Sequence, residues 1–252
     1  QYLFNKSKGL LDFVTKIVNK KQFQSSVINV FEIIYTLINN FSSKVEKYIT
    51  VIYDIYFKVI NSSLVSSDAK VRALEVATLS FEKINKCLDY SECYNNVYAS
   101  LLRTVNTNKL VTGNSIKWYL IGYTRLDRFS VQEKVFKALG AFAKYFQDSI
   151  TNHESLKSIF ISALKAEMDK KYFSNGVVCG VFTGLDNFCE KFPLDPKSKK
   201  DETVINTLCK YLNQMTVPTS EIKIANRGKI QSDYFFQFDC SNYFSCLNVP
   251  WK

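Results

Sequence analysis

His153 is the only histidine in the chain. A histidine metal site or a Ser–His–Asp relay needs further partners, and the sequence spacing supplies none. Its neighbours Asn152 and Glu154 mark a predicted helix start, where a surface role suits it. The seven cysteines are Cys87, Cys93, Cys179, Cys189, Cys209, Cys240 and Cys246. Their odd count and the lack of a Cys-x-x-Cys motif point to reduced thiols in an intracellular protein. Acidic residues are scattered singly, with no carboxylate pair at a catalytic spacing. There is no Gly-x-x-x-x-Gly-Lys loop for phosphates and no His-Arg-Asp or Asp-Phe-Gly of a kinase site. No catalytic, cofactor-binding or metal-binding residue is therefore assigned.

The remaining chemistry is charge. The net charge is +10, mostly from lysine. Such a surface attracts phosphate backbones, anionic membranes or acidic partners. Three clusters are candidates for DNA or partner contact: Lys16 with Lys20 and Lys21, Lys170 with Lys171, and Lys197 with Lys199 and Lys200. Lys16 and Lys20 share a helix face by their spacing. Arginine, the better bidentate reader, is scarce, so the charge suits nonspecific backbone contact. Composition offers a second origin, because Lys, Asn, Ile, Phe and Tyr are all abundant, as an AT-rich genome would produce. The tripeptides beginning at Asn5, Asn40 and Asn61 fit the short glycosylation pattern and read as chance.

Elements long enough to carry these residues are helical. The first 192 residues contain no proline, which leaves helices free to run. Apolar residues recur at helical spacing: Val27, Val30, Phe31, Ile34, Leu37 and Ile38 on one stripe, Val71, Leu74, Ala77, Thr78, Phe81 and Ile84 on another. The pattern resolves into about five helical pairs, over residues 3–40, 44–86, 92–128, 131–168 and 174–213. First helices start near 3, 44, 92, 131 and 174, a period in the HEAT range. The expected fold is an all-α HEAT or armadillo-type solenoid over 1–215. Residues 216–252 form a partial sixth repeat or an irregular tail. No apolar run reaches the roughly 18 residues of a membrane span. The chain starts at Gln1 and reads as a piece of something longer.

Short signals sit at the joints. Ser66-Ser67-Asp68 offers an N-cap oxygen. Ser130-Val131-Gln132-Glu133 reads as a capping box. Pro193 to Lys200 reads as an exposed loop. Asp68 and Arg72 match the acid and arginine that form a ladder between neighbouring HEAT repeats.

Leu10-Leu11-Asp12-Phe13-Val14-Thr15-Lys16, Glu133-Lys134-Val135-Phe136-Lys137-Ala138-Leu139-Gly140 and Val178-Cys179-Gly180-Val181-Phe182-Thr183-Gly184-Leu185 carry a resemblance. So do Phe188-Cys189, Asp195-Pro196 and Val204-Ile205-Asn206-Thr207-Leu208-Cys209-Lys210. Over about residues 1–215 the chain resembles the N-terminal HEAT-repeat region of DNA-dependent protein kinase catalytic subunits, within the phosphoinositide-kinase-related kinases. The resemblance implies a nuclear, non-catalytic arm in double-strand break repair by non-homologous end joining. It implies as partners double-stranded DNA ends, the Ku heterodimer and further repeats of the same longer chain. The kinase domain of that family lies outside this region. The alternative reading is a HEAT protein-binding scaffold of transport-receptor or tubulin-folding-factor type, with no DNA role.

Overall fold

The computed structural model describes residues 24–62, 65–84, 91–109, 125–150, 152–169 and 174–216, with Lys16 and Lys20. Among the described residues the regular structure is entirely helical. The helices are α1 (Gln24–Val45), α2 (Ile49–Asn61), α3 (Ser67–Lys83), α4 (Ser91–Lys109), α5 (Arg125–Tyr145), α6 (His153–Met168), α7 (Asn175–Cys189) and α8 (Lys199–Thr216). None of them is long and apolar enough to cross a membrane. Contacts divide the chain into two compact units, Gln1–Lys191 with α1 to α7 and Phe192–Lys252 with α8.

The apolar stripes become the core. Val27, Val30, Phe31, Ile34 and Ile38 of α1 are buried, as are Leu74, Ala77 and Phe81 of α3. Leu37, Val71 and Thr78 stay half-buried at the stripe edges. Large rings connect successive helices. Phe31 meets Tyr56, Tyr53 meets Phe81, and Phe81 meets Phe142, with centroids 5.8, 5.8 and 5.4 Å apart. Tyr98 of α4 stacks on Phe142 at 5.4 Å and 10°. On the other side of α5, Phe136 leads to Phe160 and then to Phe188. The phenylalanine rings and Tyr53 and Tyr56 bury large apolar areas and meet tilted or edge-on, while Tyr98 adds a stacked contact.

Within the first unit the helices pack in a regular order. α1 lies on α3, α3 on α5, and α5 on α7, forming one row. α2 packs on α3, α4 on α5 and α6 on α7, and α2 also lies on α4. The observed hairpins are thus α2 with α3, α4 with α5, and α6 with α7. The helices grouped in the sequence as 131–147 with 153–168 meet at Phe136 and Phe160 but are not each other's main partners. α5 finds its main partners in α3, α4 and α7, while α6 packs on α7. The cause is local. α5 already begins at Arg125, so the break expected before residue 131 does not occur.

That longer helix also removes the capping box. Ser130 lies inside α5, exposed, and Glu133 turns along the helix to Lys137 at 2.7 Å. An acid four residues before a lysine supports an unbroken helix as well as it supports a cap. At the other expected boundary, near residue 40, the helical backbone does break: Phe41 has non-helical angles (φ −141°, ψ 36°), a kink between the two helical stretches that together make up α1. The Ser66 cap is present, its hydroxyl accepting from the Ala69 amide at 3.3 Å. The expected helices over 3–18 and 113–124, with the tail after 216, lie outside the described residues.

Candidate functional site

The polar side of the helix row carries a ladder of ion pairs. Arg72 of α3 donates through Nη2 to Glu32 of α1 at 2.7 Å and through Nη1 to Glu75 of its own helix at 3.2 Å. Its guanidinium also lies 4.5 Å from the centroid of the Tyr35 ring. Glu75 reaches across to Lys134 of α5 at 2.9 Å. Lys144 of α5 pairs with Glu190, just after α7, at 2.7 Å. A cross-helix ion pair therefore spans each joint of the row: α1 to α3, α3 to α5 and α5 to α7.

The electrostatics follow the geometry. Burial pushes Glu75 up, but Lys134 and Arg72 outweigh it and hold its carboxyl below the ordinary range. The Glu190 hydrogen bond holds Lys144 above its ordinary value, against a smaller opposing effect of burial. Burial alone lowers Lys70. Burial pushes the Tyr56 phenol far up, with the Ser80 side chain opposing it more weakly.

The ladder anticipated at Asp68 and Arg72 is built differently. Arg72 takes Glu32 and Glu75 as its acids, and Asp68 stays exposed in the first turn of α3. Glu32 is remote in sequence, so no local motif announces it. Lys134 and Lys144 were not singled out from the sequence. Lys134 appears only inside the segment Glu133–Gly140 that carries the resemblance, and Lys144 lies one turn beyond it.

The lysine clusters separate into described and undescribed parts. Lys16 and Lys20 are exposed. Lys21, Lys170 and Lys171 lie outside the described residues. Lys197, Lys199 and Lys200 are exposed in the second unit. Only Lys197 belongs to the expected loop, because Lys199 and Lys200 open α8. Three acids share that stretch: Asp195, Asp201 and Glu202. Asp195 accepts from the Lys197 amide at 2.9 Å, and the buried Asp201 carboxylate accepts from the Asp195 amide at 3.0 Å. Three lysines against three acids leave residues 195–202 without net charge.

The other candidates are structural. His153 is exposed at the start of α6, where Asn152 caps the helix by accepting from Ser155 at 2.9 Å. Cys189 is buried, and Cys179 and Cys209 are half-buried. Asn61 donates to the Phe57 carbonyl and to Ser100 of α4, both at 2.9 Å, so its amide is engaged in helix packing. Asn40 donates to the Thr36 carbonyl within α1. Among the described residues no three His, Cys, Asp or Glu side chains are grouped to hold a metal ion.

Among the described residues the structure is all-helical, with α1, α3, α5 and α7 packed in a row tied by ion pairs and rings, as in the class of α-solenoids. The family model for the N-terminal region of DNA-PKcs matches residues 1–226. The chain belongs to that family. No curated protein and no solved structure matches it.

Proposed function

We propose that this chain is a HEAT-type α-solenoid arm of a nuclear DNA-dependent Ser/Thr protein kinase, without a catalytic step of its own. Its role is to scaffold DNA ends and the Ku heterodimer during non-homologous end joining. The observation that carries this reading is membership of the DNA-PKcs N-terminal family over residues 1–226. The row α1, α3, α5, α7 supports a repeat arm, because each helix buries its apolar face against the next, as stacked repeats must. A HEAT-type repeat arrangement over 1–215, with the helices paired as α2 with α3, α4 with α5 and α6 with α7, stays part of this proposal, as does a further partial repeat after it.

DNA contact in this reading is nonspecific and made by lysine. The exposed candidates are Lys16, Lys20, Lys197, Lys199 and Lys200. The chain should bind duplex DNA with a dissociation constant of about 10⁻⁴ to 10⁻⁶ M at physiological salt, more weakly as salt rises. Replacing Lys197, Lys199 and Lys200 with glutamine should lower affinity equally for all sequences, since phosphate contacts position without reading bases. Unchanged affinity in that variant removes the cluster from the interface.

A second reading has its own observation. The acids around the 197–200 cluster and the paired lysines of the ladder cancel much of the local positive charge. They favour an arm that meets protein, so that DNA is reached through Ku. Retention on immobilised Ku without DNA, with no binding to bare duplex at low salt, is the outcome that selects it.

A further inference from the structure

α5 and α7 touch through their backbones. A side-chain carbon on Gly180 would stand 2.7 Å from the Glu133 Cα and 2.5 Å from the Glu133 carbonyl oxygen. One on Gly140 would run into the Gly184 carbonyl, and one on Gly184 into the Phe136 carbonyl. Phe160 of α6 closes the same spot, 2.7 Å from where a Gly184 side chain would begin. Helices normally stand about 8–10 Å apart, at a distance set by the side chains between them. Here the surfaces in contact at these glycines have no rotamers with which to yield.

The earlier joints are of a different kind. α1 to α4 contain no glycine. The α3–α5 joint rests on Phe81 against Phe142 and Phe146 and on the Glu75–Lys134 pair. Long side chains can shift within their wells, and an ion pair can stretch through water. A joint made of them accommodates small rotations that a backbone contact does not.

We infer that α5 and α7, with α6 wedged across them, form a clamp that opens and moves as one body, and that the row yields at the α3–α5 joint. Displacement of α1 to α4 is absorbed ahead of the clamp.

Hydrogen exchange of the full chain under increasing denaturant reads this directly, because cooperative units open together. Amides of α5 and α7 should share one opening event, with protection factors within about tenfold of each other. Amides of α3 should open at lower denaturant. Opening of α7 apart from α5, or opening of α3 together with α5, overturns the inference. Gly184→Ala should split the shared event, with α7 losing protection before α5; a shared event preserved in that variant also counts against the clamp. If Gly184→Ala does not fold, the unmodified chain still decides between the two patterns.

Discussion

Gly140 of α5 and Gly184 of α7 meet backbone to backbone, so that a methyl group on Gly140 would collide with the Gly184 carbonyl. Neither glycine is needed for an unusual backbone angle; each lies inside a helix, where glycine costs roughly 1 kcal/mol against alanine. The close approach is what each provides.

Gly140→Ala and Gly184→Ala should each destabilise the chain by about 3 kcal/mol, the upper part of the range for overpacking a filled interior. Gly176→Ala is the control. A side chain there meets the flexible end of Glu133 at 2.8 Å and otherwise the Ser174 hydroxyl at an ordinary contact distance of 3.8 Å. Urea unfolding followed by circular dichroism should rank the two interior variants well below Gly176→Ala. Equal midpoints for all three would mean that α5 and α7 are not in backbone contact.

Phe142 is fully buried and touches Phe81, Phe146 and Tyr98. It joins α3, α4 and α5 at one point. Phe142→Ala should cost about 4 kcal/mol, the sum of lost transfer energy and the cavity left behind. Lys197→Glu, on an exposed turn in the second unit, should leave the melting temperature almost unchanged. If the two variants melt alike, the assignment of inner and outer faces is wrong.

Arg72 serves two acids from two different nitrogens and faces Tyr35 as well. Arg72→Ala should cost about 1–2 kcal/mol, combining a partly exposed ion pair with a cation–π contact. Arg72→Lys should recover less than half of this, because an ammonium cannot hold both carboxylates in a fork. A double-mutant cycle on Glu32 and Arg72 should return a coupling of about 0.5–1 kcal/mol that shrinks in high salt. A coupling of zero at low salt would show that the pair does not tie α1 to α3.

Glu75 also sets a pH dependence. Its folded pKa is depressed, so its contribution is present above the unfolded glutamate value of 4.5 and is lost as pH falls through the lower folded value. Lys144 has the opposite sign: its raised pKa contributes below the ordinary lysine value and is lost as pH rises through the folded one. The lowered Lys70 works against Lys144 at alkaline pH, which makes the acid side the cleaner test. Thermal melts should show Glu75→Gln with a shallower loss of stability between about pH 5 and 3 than the unmodified chain. Parallel acid limbs would remove Glu75 from the ladder.

Much of this architecture is legible in the sequence because burial writes a period. Val27, Phe31, Ile34 and Ile38 fall on one face by spacing alone, and all four are buried. The Ser66 cap is legible because its bond is local. What could not be read depends on distant residues. Glu32 and Arg72 are joined only when α1 lies on α3. Which helix pairs with which depended on the start of α5, where a capping pattern and an intrahelical Glu–Lys pair use the same residues. The α5–α7 contact did leave a trace, since Gly176, Gly180 and Gly184 recur at one helical turn. Four-residue glycine spacing marks a possible close approach without naming the helix on the other side.

The arm proposed here works at DNA ends. Its most direct test is fluorescence anisotropy of the full 252-residue chain titrated onto a labelled duplex, once bare and once with Ku loaded at its end. Weak, salt-sensitive binding to the bare duplex is expected, with at least roughly tenfold tighter binding when Ku is present, as two contacts held together on one duplex allow. Identical affinity for the two duplexes, or no binding to either at low salt, would contradict it.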